Sequence, residues 1–83
     1  MIQSFVFDIA AQMGVELSTV SLTDGRSFGC VDTYLLNMTA SGKTIGAILY
    51  KADIEKFKSG AGRDFLEVRI RSTLSRLHQL IQS

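Results

Sequence analysis

The chain has no proline and no tryptophan, and only one cysteine and one histidine in 83 residues. Cys30 has no partner for an internal disulfide, and Cys30 with His78 falls short of the four ligands of a structural zinc site. The core is therefore expected to hold by packing alone. The missing proline leaves helices uninterrupted and hairpins compact. Long apolar runs are missing as well: the longest strand-like one is Ala47-Ile48-Leu49-Tyr50, far short of the roughly 18–20 residues that span a bilayer. No membrane insertion is expected. Charge of one sign is also scarce. Nine Lys and Arg stand against eight Asp and Glu, a net charge of +1, so global electrostatics neither demand nor forbid a polyanionic partner. Met1-Ile2-Gln3-Ser4 lacks the basic and apolar regions of a signal peptide, and an unpaired cysteine suits a reducing compartment, which points to the cytoplasm.

A chain of 83 residues has room for one core, and the reading is a single small α+β domain spanning 1–83. Such a chain buries only about 60–65% of its unfolded surface. Dimerisation is the simplest supplement, and a deep active-site cleft is not expected.

The apolar residues Ile2, Phe5, Val6, Ile9 and Met13 recur at three- and four-residue spacing, which predicts a helix over 4–13 closed by Gly14. A strand over 2–7, suggested by Phe5-Val6-Phe7, is the rival. Alternation over 17–22 predicts a strand, with Asp24-Gly25 as a tight hairpin turn. A second strand over 28–39 turns at Ala40-Ser41-Gly42-Lys43 into a third over 44–51. The three form an antiparallel meander. A short helix follows over 52–58, stopped by Ser59-Gly60-Ala61-Gly62. The strongest pattern is the last: Leu66, Ile70, Leu74, Leu77 and Ile81 lay an apolar stripe along a long amphipathic helix over 63–82. The order is α-β-β-β-α-α.

Neither face of the second hairpin is cleanly polar. If one face covers the helices, the other leaves Ile48, Tyr50 and Leu35 exposed, as a partner-binding or dimer face would. The stripe Leu66, Ile70, Leu77 and Ile81 is the alternative interface, should the last helix be shared between subunits. Arg69, Ser72, Arg76 and Gln79 share another face of that helix. With Arg71 and with Lys43 from the hairpin, these arginines form a candidate nucleic-acid contact, because such residue types make most phosphate contacts.

The remaining motifs carry less. Ser41-Gly42-Lys43-Thr44 resembles the end of a phosphate-binding loop, but Asn37 stands where its first glycine belongs and a strand follows where a helix must. Ser59-Gly60-Ala61-Gly62-Arg63-Asp64 reads as a hinge between helices. Cys30 falls in the predicted second strand as a buried, inert thiol, and His78 reads as a surface histidine with no carboxylate placed to orient it. Asn37-Met38-Thr39 matches a glycosylation sequon in a chain without a secretory signal.

Helix, three antiparallel strands and closing helix is the order of double-stranded-RNA-binding domains. Their lysine-rich cluster at the start of the closing helix is replaced here by Gly62-Arg63-Asp64-Phe65, and a short helix intervenes, so no family is assigned. The expectation is a non-catalytic protein-interaction module, homodimeric, with a protein partner and no cofactor, metal or catalytic residues. Its profile suits an inhibitor or regulator of the kind phages and mobile elements encode. The alternative is a small nucleic-acid-binding regulator using the arginine-bearing last helix.

Overall fold

The helical spacing near the start of the chain prevails over the strand-like triplet Phe5-Val6-Phe7. In the computed structural model, which describes residues 2–82, Ile2–Gln12 is a helix, α1. Ile2, Phe5, Val6, Ile9 and Ala10 line its buried face, while Phe7 turns outward. The end of α1 is set by Gly14, whose φ of 74° is open to glycine and costly for other residues. Its N–H donates to the Ala11 carbonyl (3.2 Å) and the Val15 N–H to that of Ala10 (2.9 Å), satisfying carbonyls that the helix leaves over. Val15 is thereby buried against the core.

Three strands follow, β1 (Thr19–Asp24), β2 (Thr33–Ala40) and β3 (Lys43–Tyr50), then α2 (Lys51–Lys58) and α3 (Arg63–Gln82). This is the expected mixed α+β order of one helix, three antiparallel strands and two helices. The sheet runs β1-β2-β3, with Leu22 opposite Leu36 and Leu36 opposite Ala47. Ser41 (φ 51°) and Gly42 (φ 77°) join β2 to β3. Two successive residues of positive φ make the two-residue turn whose twist matches that of the flanking strands.

The first connection differs from expectation. Asp24-Gly25 makes no tight hairpin: Asp24 is extended (φ −65°, ψ 130°) and its carboxylate accepts the Arg26 N–H, capping a 3-10 turn over Gly25–Phe28. Residues 25–32 then form the link, and β2 starts at Thr33 rather than Phe28. Cys30 is consequently exposed in this link, not buried in a strand, and its Sγ lies 3.9 Å from the Phe28 carbonyl oxygen. The link is fastened at both ends. Cys30 N–H donates to the Gly25 carbonyl (2.8 Å), and the Thr33 hydroxyl donates to that of Cys30 (3.2 Å).

One sheet face carries Val20, Leu22, Tyr34, Leu36, Met38, Ala40, Ile45, Ala47 and Leu49 toward the helices. Of these, Leu36, Met38, Ala40, Ala47 and Leu49 are buried. From α3 come Leu66, Ile70, Leu74 and Leu77, also buried, with Ile81 partly so. The α3 stripe is therefore a wall of the chain's own core. Burying such a side chain contributes about 2 kcal/mol, which exposure to a partner would forfeit. That removes Leu66, Ile70 and Leu77 from the candidate interface, while Ile81, only partly buried, ends the same stripe. Thr73, also buried on α3, donates its hydroxyl to the Arg69 carbonyl (3.0 Å). Among the described residues no buried side-chain polar atom lacks a partner, and no helix is long and apolar enough to cross a membrane.

Candidate interaction surface on the sheet

With both long helices on one side, the other side of the sheet has no covering element among the described residues. Side chains alternate along a strand, so Thr19, Ser21 and Thr23 of β1, Thr33, Leu35, Asn37 and Thr39 of β2, and Thr44, Gly46, Ile48 and Tyr50 of β3 share this open face. Most are small and polar, and the Thr39 and Thr44 hydroxyls hydrogen-bond across the hairpin at 2.8 Å. The apolar part is one corner: Leu35 stands directly opposite Ile48, and Tyr50 opposite Thr33. Ile48 is 48% exposed and Tyr50 58%, with Leu35 half-buried. The alternation read from the sequence thus places all three expected sheet residues together on the uncovered face.

The outer edge of β3 is also open. The Lys51 N–H bonds the Asp32 carbonyl (2.9 Å) across the Tyr50–Thr33 pair. In an antiparallel ladder this makes Tyr50 a residue whose own backbone groups point away from β2, and Ile48, Gly46 and Thr44 follow with period two. The side chain of Arg69 confirms the direction, since it donates to the outward carbonyl of Ile48. α3 runs beside this edge. Between them lies a groove of about 330 Å³ whose walls include Gly46, Ile48, Arg69, Ser72, Thr73 and Arg76. A Cβ at Gly46 would lie on the open face, 3.1 Å from Asn37 Oδ1 and 3.3 Å from Leu35 Cδ1. Phe65 and Val68, both exposed, lie one turn before Arg69 and Ser72 on α3.

The four basic residues expected to act together are divided. Arg71 is on another flank of α3, bonded to Glu67 (2.8 Å) and to the Gln12 side chain. Lys43 is exposed at the tip of the β2–β3 hairpin. Only Arg69 and Arg76 share the groove, and neither has a carboxylate partner among the described residues. This divides the candidate nucleic-acid contact into one pair and two separate charges.

At the opposite edge, the end of β1 is closed by charge. Asp24 accepts from Lys51 Nζ at 3.0 and 3.1 Å and pairs with Arg26 at 3.3 Å. The Arg26 backbone N–H and then the Lys51 ammonium hold its carboxyl down at about 2. Lys51 also lies 5.3 Å from the centre of the Tyr34 ring. This clamp joins β1 to the first residue of α2. Sequence reading missed it, for Asp24 and Lys51 stand 27 residues apart. Beside it, a pocket of about 430 Å³ between α1, α2 and the sheet is lined by Ile2, Leu22, Tyr34, Ile54 and Phe57 with Gln3 and Lys58 at its rim. Its lining carries one titratable amine and one phenol and no carboxylate. His78 is half-buried on α3. No group of three or more His, Cys, Asp or Glu side chains placed to hold a metal occurs among the described residues.

No protein-family model, no curated protein and no solved structure matches this chain.

Proposed function

We propose that this chain is a non-catalytic protein-interaction module that forms a homodimer through the open face of its sheet. One observation carries the reading: Leu35, Ile48 and Tyr50 form an apolar corner on a sheet face that no element among the described residues covers. Packing two such faces together would bury that corner in both copies and leave the threonine hydroxyls at the rim, where water satisfies them. The exposed Cys30 suits a reducing, cytoplasmic setting.

Size limits the strength of the association. Three strands about 4.8 Å apart and up to about 26 Å long offer a face on the order of 400 Å², about half of what each partner gives to a standard interface. The expected dimer is therefore weak, with a Kd in the micromolar range. Sedimentation equilibrium over a concentration series at low and high salt tests this. The parent chain is expected to dimerise with little dependence on salt, and Leu35→Glu to remain a monomer of unchanged circular dichroism. A parent chain that stays monomeric at hundreds of micromolar would refute the dimer.

A further inference from the structure

We infer that the groove between the free edge of β3 and α3 captures an extended acidic segment of a protein partner by strand addition. The inference rests on the interaction-module reading and assigns its partner chemistry. Two features meet in this groove. The backbone N–H and C=O groups of Thr44 and Gly46, and the N–H of Ile48, point outward from β3 with no neighbouring strand among the described residues, which is the template an extended peptide uses. Arg69 and Arg76, both exposed and without carboxylate partners among the described residues, overlook the same edge.

The geometry selects carboxylates in extended chain. Seven residues along a helix separate Arg69 from Arg76 by about 10.5 Å. Same-face side chains of a strand repeat every roughly 6.7 Å, so two flexible arginines bracket carboxylates at i and i+2. Arg69 already donates to one lone pair of the Ile48 carbonyl. Of the five N–H donors on its guanidinium, the others remain for a carboxylate. Side chains of the added strand on its other face would lie beside Ile48 and extend the apolar corner. A second copy is a poor occupant, because a two-fold axis through this edge would bring Arg69 and Arg76 of both copies together. Nucleic acid fits less well than peptide, because Arg71 is engaged by Glu67 and Gln12 and two free arginines make a short phosphate track.

Fluorescence polarisation with the full chain and a labelled decapeptide of alternating Glu and Val tests the assignment. Capture is expected to weaken as salt rises, and to fall about tenfold or more in Arg69→Glu and in Arg76→Glu. It should persist in Arg71→Gln, whose charge lies off the groove. N-methylation of every Glu amide or of every Val amide should abolish capture in at least one of the two patterns. Equal capture of the Lys-for-Glu peptide, indifference to both arginine reversals, capture of both methylated peptides, or tighter binding of a duplex RNA or DNA oligomer would each overturn it. The dimer is scored separately by sedimentation. Arg69→Glu and Arg76→Glu are expected to leave it intact, and Leu35→Glu to break it while peptide capture continues, so the groove and the dimer can fail independently.

Discussion

Replacing Gly25 by alanine should unfold the first connection, and the structure sets the scale of the damage. A Cβ at position 25 would fall inside 3.0 Å of three atoms: the Cys30 carbonyl oxygen, the Thr33 hydroxyl, and the Thr33 carbonyl oxygen at 2.7 Å. Two of these are backbone atoms, so relief requires the link itself to move. Movement breaks the Cys30 N–H bond to the Gly25 carbonyl and the Thr33 hydroxyl bond to Cys30, at about 1 kcal/mol each. Overpacking adds about 1–3 kcal/mol. The combined cost of about 3–5 kcal/mol compares with the roughly 4–12 kcal/mol that holds a chain of this size. With a urea m-value of about 1 kcal/mol/M, the unfolding midpoint should drop by about 3 M or more. Gly14→Ala is the control, because its Cβ meets open space and costs only the left-handed backbone, about 1–2 kcal/mol. A Gly25→Ala midpoint shift no larger than that of Gly14→Ala would refute this account of the link.

Two further outcomes are expected. The Asp24 carboxyl is depressed from 3.8 to about 2 in the folded chain, so its contribution is fully present above the unfolded value near 3.8 and is lost as pH falls through about 2. Urea melts of parent and Asp24→Asn should therefore differ by a constant amount from pH 7 down to about 4 and converge toward pH 2; a gap that persists at pH 2 would count against the clamp. Ile70→Ala removes a side chain with no exposed surface and should cost about 2–5 kcal/mol. That loss should be independent of protein concentration in denaturant melts, because the α3 stripe is internal; a loss confined to association would return it to an interface.

Patterns repeated over many residues were legible, and those set by a single distant contact were not. Five apolar residues at helical spacing fixed α3 at Arg63–Gln82, and two adjacent turn residues at 41 and 42 fixed the second hairpin. Asp24-Gly25 was ambiguous because the same dipeptide serves a tight turn and a capped 3-10 turn. Here the choice goes with Lys51, 27 residues on, and with Thr33, which closes the link. Starting β2 five residues late moved Cys30 from an expected burial to the surface. The α3 stripe shows a different limit. Periodicity says that Leu66, Ile70 and Leu77 must be covered, and says nothing of whether the cover comes from the same chain or another.

The candidate surface was half legible for a related reason. Strand alternation places Leu35, Ile48 and Tyr50 on one face without any knowledge of the helices, whereas the open edge of β3 depends on strand order, which alternation does not encode. A charge beside a free edge, such as Arg69 of α3, has two readings, since proteins also place charges at free edges to discourage pairing. A guarding charge repels or hinders any incoming strand; a recognising charge selects one sign. Arg71 is neutralised by Glu67 one turn away, so α3 has the means to pair its own arginines. Of the three without a carboxylate partner among the described residues, Arg63 lies over the Phe5 ring at 4.8 Å, and the other two, Arg69 and Arg76, overlook Gly46 and Ile48. Guarding alone does not require a groove between them and the strand. Discrimination between the glutamate and lysine peptides therefore separates the two roles at the level of physical cause, and not only of affinity.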